Sequence, residues 1–169
     1  MKKILVLFVF SAFIFGCETS DNETPTASII GVWNGVSINF TGTGNAEIQG
    51  VPVTADVDGE GYDIDYTVTF TEDPNTVTSI GAISVEATAT IQGQTYTESE
   101  EGVTLDFSGP WSQDGNILTL TIEGEEVIAN IVELTETSLL LQFIIERAET
   151  INGVAITADL DVNASYSRQ

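Results

Sequence analysis

This sequence has no histidine, one cysteine and only four basic residues in a chain of 169. Without histidine, neither a Ser-His-Asp nor a Cys-His catalytic arrangement can be built, and zinc cannot be bound through imidazole. A single cysteine excludes an intramolecular disulfide, so a packed core must hold the fold together. The chain is 42% hydrophobic, which is enough apolar material for such a core.

Basic residues are scarcer still beyond the N-terminus. Lys2 and Lys3 precede residue 17, so residues 17–169 keep Arg147 and Arg168 against 26 acidic residues, a formal charge of −24. Such a surface is repelled by nucleic acid and by anionic headgroups, and we predict no nucleic-acid partner. Most acids alternate with apolar residues and so face solvent, away from any pocket. We therefore predict no catalytic residues, no enzymatic activity and no cofactor.

An apolar run begins at Ile4, behind two lysines, and ends at Ile14-Phe15-Gly16-Cys17. This order resembles a bacterial lipoprotein signal with its lipobox. The resemblance implies cleavage after Gly16 and acylation of Cys17. It further implies export and attachment to the outer membrane through the acyl chains, facing the periplasm or the exterior. An ordinary secretory signal is the alternative, whereas the run is too short for a transmembrane helix, which needs about 20 apolar residues.

Three segments follow from the pattern of the whole chain: a cleaved signal at 1–16, a tether at 17–28 and one domain at 29–169. Residues 17–28 are polar and acidic without apolar periodicity, which predicts a flexible tether. From residue 29, apolar residues recur at every second position, which predicts half-buried antiparallel strands. The clearest alternations are 51–57, 62–70, 83–91 and 154–162.

Glycine pairs mark the predicted turns between these strands. Asp58–Gly61 and Glu72–Asn75 predict two longer turns. About ten strands joined by hairpins would expose two sheet edges unless the sheet closed on itself. The fold class is therefore an all-β, up-and-down antiparallel barrel of about 8–10 strands. The tight turns are predicted at Gln49-Gly50, Gln92-Gly93, Asp114-Gly115, Glu123-Gly124 and Asn152-Gly153.

Three segments carry a family resemblance, in the order Gly31-Val32-Trp33, Gly109–Leu120 and Ile131–Leu141. Together they resemble the lipocalin-like domain of bacterial lipoproteins. The resemblance implies a calyx-shaped barrel and often a small apolar ligand. It also implies that an arginine from a late strand packs over the tryptophan of the first strand.

Arg147 is the predicted partner of Trp33, because it falls on the same face as Leu139, Leu141 and Phe143. A guanidinium stacked on an indole would close one end of the barrel. The alternative is a solvated arginine at a strand end. Trp33 is out of phase with the apolar residues that follow it, so we predict a bulge near Gly35.

Five aromatic residues fall on predicted inner faces, namely Tyr62, Tyr66, Phe70, Phe107 and Phe143. They would line a ligand cavity or simply fill the core, as happens in small barrels. We expect a non-catalytic, lipid-anchored protein that holds or carries a small hydrophobic ligand. The alternative is a solid-core structural or interaction module with an unknown protein partner. A cavity of about 300 Å³ or more would favour the carrier.

Acidic residues cluster at Asp56, Asp58, Glu60, Asp63 and Asp65. If 58–61 is a turn, Asp56 lies across from Asp63, and the two like charges repel. A calcium ion would relieve this repulsion, although the spacing is not that of an EF-hand. The alternative is a solvated acidic hairpin, and we assign no metal ligand.

Overall fold

The computed structural model describes residues 27–48, 50–91, 93–122, 125–151 and 154–169. The predicted signal and all but the last two residues of the predicted tether, including Cys17, lie outside these ranges. No helix in the described residues is long and apolar enough to cross a membrane. The described chain forms nine strands: β1 Gly31–Ile48, β2 Val51–Thr71, β3 Thr76–Ile91, β4 Gln94–Val103, β5 Gly109–Asp114, β6 Ile117–Ile122, β7 Glu125–Leu134, β8 Ser138–Ile151 and β9 Val154–Arg168.

Eight of these nine strands form a ring. Each pairs antiparallel with its neighbours in chain order, β9 pairs with β1, and β3 pairs with both β2 and β5. β4 pairs with β3 and stands outside the ring. The predicted all-β ring of sequential antiparallel strands is confirmed, with nine strands where about ten were expected. The predicted turn at Asp114-Gly115 is confirmed between β5 and β6, whereas the predictions at Gln49-Gly50, Gln92-Gly93, Glu123-Gly124 and Asn152-Gly153 fall wholly or partly outside the described residues.

β4 and β5 pair with successive parts of β3 in the same register, as the pairs Ile83 with Val103 and Val77 with Gly109 show. The intervening residues 104–108, here called the strap, are not strand. Hydrogen bonds from side chains attach the strap to the sheet where the backbone hydrogen bonds of a strand are missing. The Ser79 hydroxyl donates to the Leu105 carbonyl oxygen at 2.7 Å and accepts from the Phe107 backbone N–H at 2.8 Å.

Two bulges decide which residues of β1 and β2 face the core. The β1 register shifts between Gly35 and Ser37, as predicted, and this lets Trp33 and Ile38 both be buried. In β2 the register shifts between Tyr62 and Asp65. Odd-numbered residues face inward before this shift, and even-numbered residues face inward after it.

The predicted turn at 58–61 is wrong, because β2 runs unbroken through it as a strand of 21 residues. Its glycines have a packing role. A Cβ on Gly59 would lie 2.1 Å from the ring of Phe40, the residue paired with it on β1. The aromatic ring therefore fills the space that a side chain at 59 would need, and the strand continues.

Two hairpins extend past the ring and form a sheet that we call the arm. The arm consists of residues 41–48 of β1 with 51–58 of β2, and residues 144–151 of β8 with 154–161 of β9. The paired ends of β3 and β4 flank it. At about 3.3 Å per residue, these eight-residue extensions are about 26 Å long. The opposite end of the ring, here called the closed end, holds the start of β1, the end of β9 and the β2–β3, β5–β6 and β7–β8 turns.

We predict that Gly42→Ala destabilises the protein by about 1–3 kcal/mol, whereas Gly44→Ala is neutral or mildly stabilising. A Cβ on Gly42 would lie 2.0 Å from the Asp159 backbone oxygen, which would force β1 and β9 apart. A Cβ on Gly44, two residues along the same face, would lie 3.5 Å from the nearest Val57 methyl group, an ordinary contact. Urea unfolding of the two variants checks this, and equal effects would contradict the register of β1 with β9.

Candidate functional site

Trp33 and Arg168 meet at the closed end. The Arg168 guanidinium carbon lies 4.2 Å from the centroid of the Trp33 ring, whose exposed fraction is 0%. Trp33 Nε1 donates to the Ile29 carbonyl oxygen at 2.7 Å. Arg168 donates to three backbone oxygens, through Nε to Glu136 at 2.8 Å, through one terminal nitrogen to Ile30 at 2.8 Å, and through the other to Ser28.

An arginine therefore does cover Trp33, but it is Arg168, and the prediction of Arg147 is wrong. Arg147 pairs through its backbone with Ala158, ten residues along β9 from Arg168. Trp33, in contrast, pairs with Arg168 itself. Both arginines follow an alternating apolar segment, and the register between β1 and β9 determines which of them reaches the indole.

Most of the predicted aromatic residues meet inside the ring. Phe107 lies between Tyr66 and Phe143, with ring centroids 6.2 Å and 6.4 Å away. Phe70 packs edge-to-face against Trp111 at 5.7 Å. Such pairs add to the energy of burial, by about 0.5–1.5 kcal/mol each. These contacts make the aromatic residues part of one core.

Tyr62 is an exception to that placement. It precedes the β2 bulge and pairs with Ser84, in step with Glu60 and Glu86 on the exposed face. The prediction that Tyr62 shares a face with Tyr66 is wrong, because the extra residue in the bulge reverses the phase of alternation between them.

The void enclosed by the ring has a volume of about 10 Å³, which is room for about one water molecule at most. The void is lined by Phe70, Phe107, Phe143 and Tyr166, together with valine and leucine side chains. It is far below the volume of about 300 Å³ that a ligand pocket needs. In the described structure, the interior is filled by the side chains that were predicted to surround a ligand.

The strap covers this filled interior from the side. The Tyr66 hydroxyl donates to the Leu105 carbonyl oxygen at 3.0 Å, and the same oxygen accepts from Ser79. Burial raises the pKa of Tyr66 far above its ordinary value. The phenol is therefore protonated at neutral pH and donates its hydrogen bond to the strap.

The acidic residues on β2 are spread along a strand. Asp56 pairs with Thr43 on one side and Thr90 on the other, so it does not lie across from Asp63. The geometry that motivated the calcium hypothesis is therefore wrong. Within the described residues, no group of three potential ligands is placed to hold a metal ion.

Two further residues were not predicted as part of a site. In the sequence, Trp111 lies in one of the segments that carry the family resemblance, and Asn75 ends a predicted turn. The structure brings them together at the closed end, where the Trp111 backbone N–H donates to the Asn75 backbone oxygen at 3.3 Å. Their juxtaposition depends on the β3–β5 pairing, which has no local signal in the sequence.

Comparisons with known proteins give no relative. No model of a known protein family matches the chain, and neither the curated proteins nor the solved structures contain a match.

We predict that Arg168→Ala lowers the free energy of unfolding by about 2–4 kcal/mol, since both the indole contact and the charge-assisted hydrogen bonds are lost. Arg168→Lys should recover less than half of this, because an ammonium cannot bond three diverging carbonyls while covering the ring. Arg147→Ala removes the same charge and should cost less. Urea unfolding measures all three, and an equal loss for both alanine variants would contradict the assignment.

We predict that stability is constant at neutral pH and falls as the pH rises above about 10. Burial raises the pKa values of both Tyr66 and Tyr166 above the unfolded value of about 10. Above that pH the unfolded chain releases protons that the folded chain retains, so each tyrosine lowers stability by up to about 1.4 kcal/mol per pH unit. Tyr66→Phe and Tyr166→Phe should each flatten the alkaline slope, and the double variant should flatten it most. An unchanged slope in the double variant would contradict this.

Proposed function

We propose that the chain is an exported, lipid-anchored, non-catalytic protein of lipocalin-like type. Its barrel acts as a solid support, and its arm is the surface that meets a partner. The observation that carries the proposal is the filled interior, because a void of about 10 Å³ cannot accommodate a lipid or a drug-sized ligand. This choice favours the interaction module over the carrier expected from the family resemblance.

The position of the chain entry supports the arm as the presenting surface. Residues 27–30 reach the ring at its closed end, where Arg168 binds the backbone of Ile30. The eleven Cα–Cα steps from Cys17 to Ser28 can span about 40 Å at most. An anchor on Cys17 would therefore keep the closed end within about 40 Å of the membrane, which favours the arm, at the opposite end, as the more distant surface.

The composition of the arm supports a protein partner. Its outer face carries exposed threonines and aspartates in alternate strands: Thr41 and Thr43, Asp56 and Asp58, Asp159 and Asp161. In a chain with a formal charge of −24 after residue 16, charge complementarity favours a partner with a basic surface. Since the whole sequence lacks histidine, neither a Ser-His nor a Cys-His pair can form, which supports a non-catalytic role.

Native mass spectrometry and a neutral apolar dye test the proposal. We predict that residues 17–169 with Cys17→Ser carry no stoichiometric lipid and do not enhance the emission of N-phenyl-1-naphthylamine. Phe107→Ala should bind the dye, because it removes a ring that separates Tyr66 from Phe143 and lines the void.

Ile80→Ala is the matched control for that variant. Ile80 follows Ser79 on the strand under the strap, but its side chain is 78% exposed, so its removal opens no interior space. Near-ultraviolet circular dichroism confirms that each variant is folded. A stoichiometric co-purified lipid, or strong dye binding by the unsubstituted chain, would overturn the solid-support proposal in favour of hydrophobic carriage.

A further inference from the structure

A cleft of about 420 Å³ opens at the closed end of the ring. It lies between residues 28–30, which lead into β1, and the residues Asn75, Trp111, Ser112, Gln113 and Gly115. Its volume falls within the range of about 300–1,000 Å³ that is typical of small-molecule sites, and the ends of barrels are a common location for them. The cleft is separate from the filled interior.

Trp111 forms a fixed aromatic wall of the cleft. Its Nε1 donates to the Thr71 carbonyl oxygen at 3.0 Å, and its ring packs edge-to-face against Phe70. The side chain is half-buried, and its remaining surface lines the cleft. These contacts set the ring orientation before any ligand arrives, which lowers the entropic cost of binding.

Polar side chains stand beside this wall. Gln113 donates from Nε2 to the Gly115 carbonyl oxygen at 2.9 Å, which orients the amide and leaves its oxygen as an acceptor. Asn75 binds Trp111 through its backbone oxygen, so that contact does not use its side-chain amide. The Ser28 hydroxyl, which accepts from the Ile30 backbone N–H at 3.2 Å, belongs to a residue that also borders the cleft.

Charge narrows the class of ligand. None of the described residues that line the cleft is charged. The positive charge of Arg168 beside the cleft is already engaged by the carbonyl oxygens of Ser28 and Ile30 and by the Trp33 ring. An anion would therefore meet the repulsion of a strongly acidic protein, and a cation would find no carboxylate in the lining. A wholly apolar ligand would bury the amide groups without hydrogen-bond partners.

We propose that this cleft binds a neutral saccharide. A pyranose ring presents one apolar face to an aromatic wall and hydroxyl groups at its edge to amides and hydroxyls, which is the combination found here. The sugar could belong to a free glycan or to the headgroup of a glycolipid. This inference does not depend on the solid-support proposal, because the cleft and the interior void share no lining residue.

Tryptophan fluorescence tests the proposal on the full-length protein in a polyoxyethylene detergent, which has no sugar headgroup. The sequence has two tryptophans, and Trp33 is fully buried, so a ligand-induced change reports Trp111. Maltose, cellobiose and N,N′-diacetylchitobiose are the free-glycan probes. We expect a saturable change with at least one of them, with a Kd of about 1 mM. Vesicles containing digalactosyl diacylglycerol, compared with phosphatidylcholine alone, test the headgroup source.

Substitutions locate the binding. Asn75→Ala and Gln113→Ala should each weaken binding about tenfold, as expected for the loss of one good hydrogen bond. Asn130→Ala, which removes an exposed amide on the outer face of β7, should leave it unchanged. Because Trp111→Ala also removes the contact with Phe70 and the hydrogen bond to Thr71, the two amide variants carry the test.

Three results would overturn the proposal. One is no saturable response to any disaccharide together with no preference for glycolipid vesicles. Another is undiminished affinity in both amide variants. The third is equal affinity for digalacturonic acid, which would contradict the selection of neutral ligands by charge. Binding to glycolipid vesicles alone, lost in the amide variants, supports the headgroup source.

Discussion

The ring closes where the first strand meets the last, and the contact of Trp33 with Arg168 ends that seam. The indole is fully buried, and the guanidinium covers it while bonding carbonyl oxygens from residues 28, 30 and 136. One side chain thereby joins the entry of the chain, the β7–β8 turn and the end of β9. An antiparallel sheet with unpaired edges invites association with other chains, and this seam removes two such edges from the ring.

Long strands that extend beyond the ring accumulate twist and bring backbone and side-chain atoms close together. They therefore need positions where the backbone can bend or where a side chain is absent. Bulges in β1 and β2 and glycines on the inner face of the same two strands provide these positions. Gly42 lets the backbone of Asp159 approach, and Gly59 accepts the ring of Phe40. The same features that look like turns in a sequence are here the means by which long strands stay paired.

Much of the fold could be predicted because its signals are local. Alternation of apolar residues indicated the strands, and glycine pairs indicated the hairpins. The failures share one cause, which is that register is non-local. Asp58-Gly-Glu-Gly61 has the composition of a turn, yet Phe40 on another strand keeps it extended. Arg147 and Arg168 are equivalent by alternation, and the pairing of β1 with β9 decides between them. Whether aromatic residues line a cavity or fill it depends on how closely the closed ring packs them.

Register also explains how so acidic a chain distributes its charge. On the outer face of the arm, Asp56 and Asp58 on β2 are separated from Asp159 and Asp161 on β9 by the threonines of β1. Two strand spacings keep these carboxylates about 10 Å apart, close to the screening length at physiological salt. Like charges lie directly opposite each other where Glu60 pairs with Glu86 and where Glu146 pairs with Asp159. At the first of these pairs Ser99 donates a hydrogen bond to the Glu86 carboxylate at 3.3 Å. The hydroxyl strand between the aspartates of β2 and β9 thus distributes part of the repulsion that a hairpin at 58–61 would have concentrated, whereas the exposed pair of Glu146 and Asp159 relies on screening by solvent and salt.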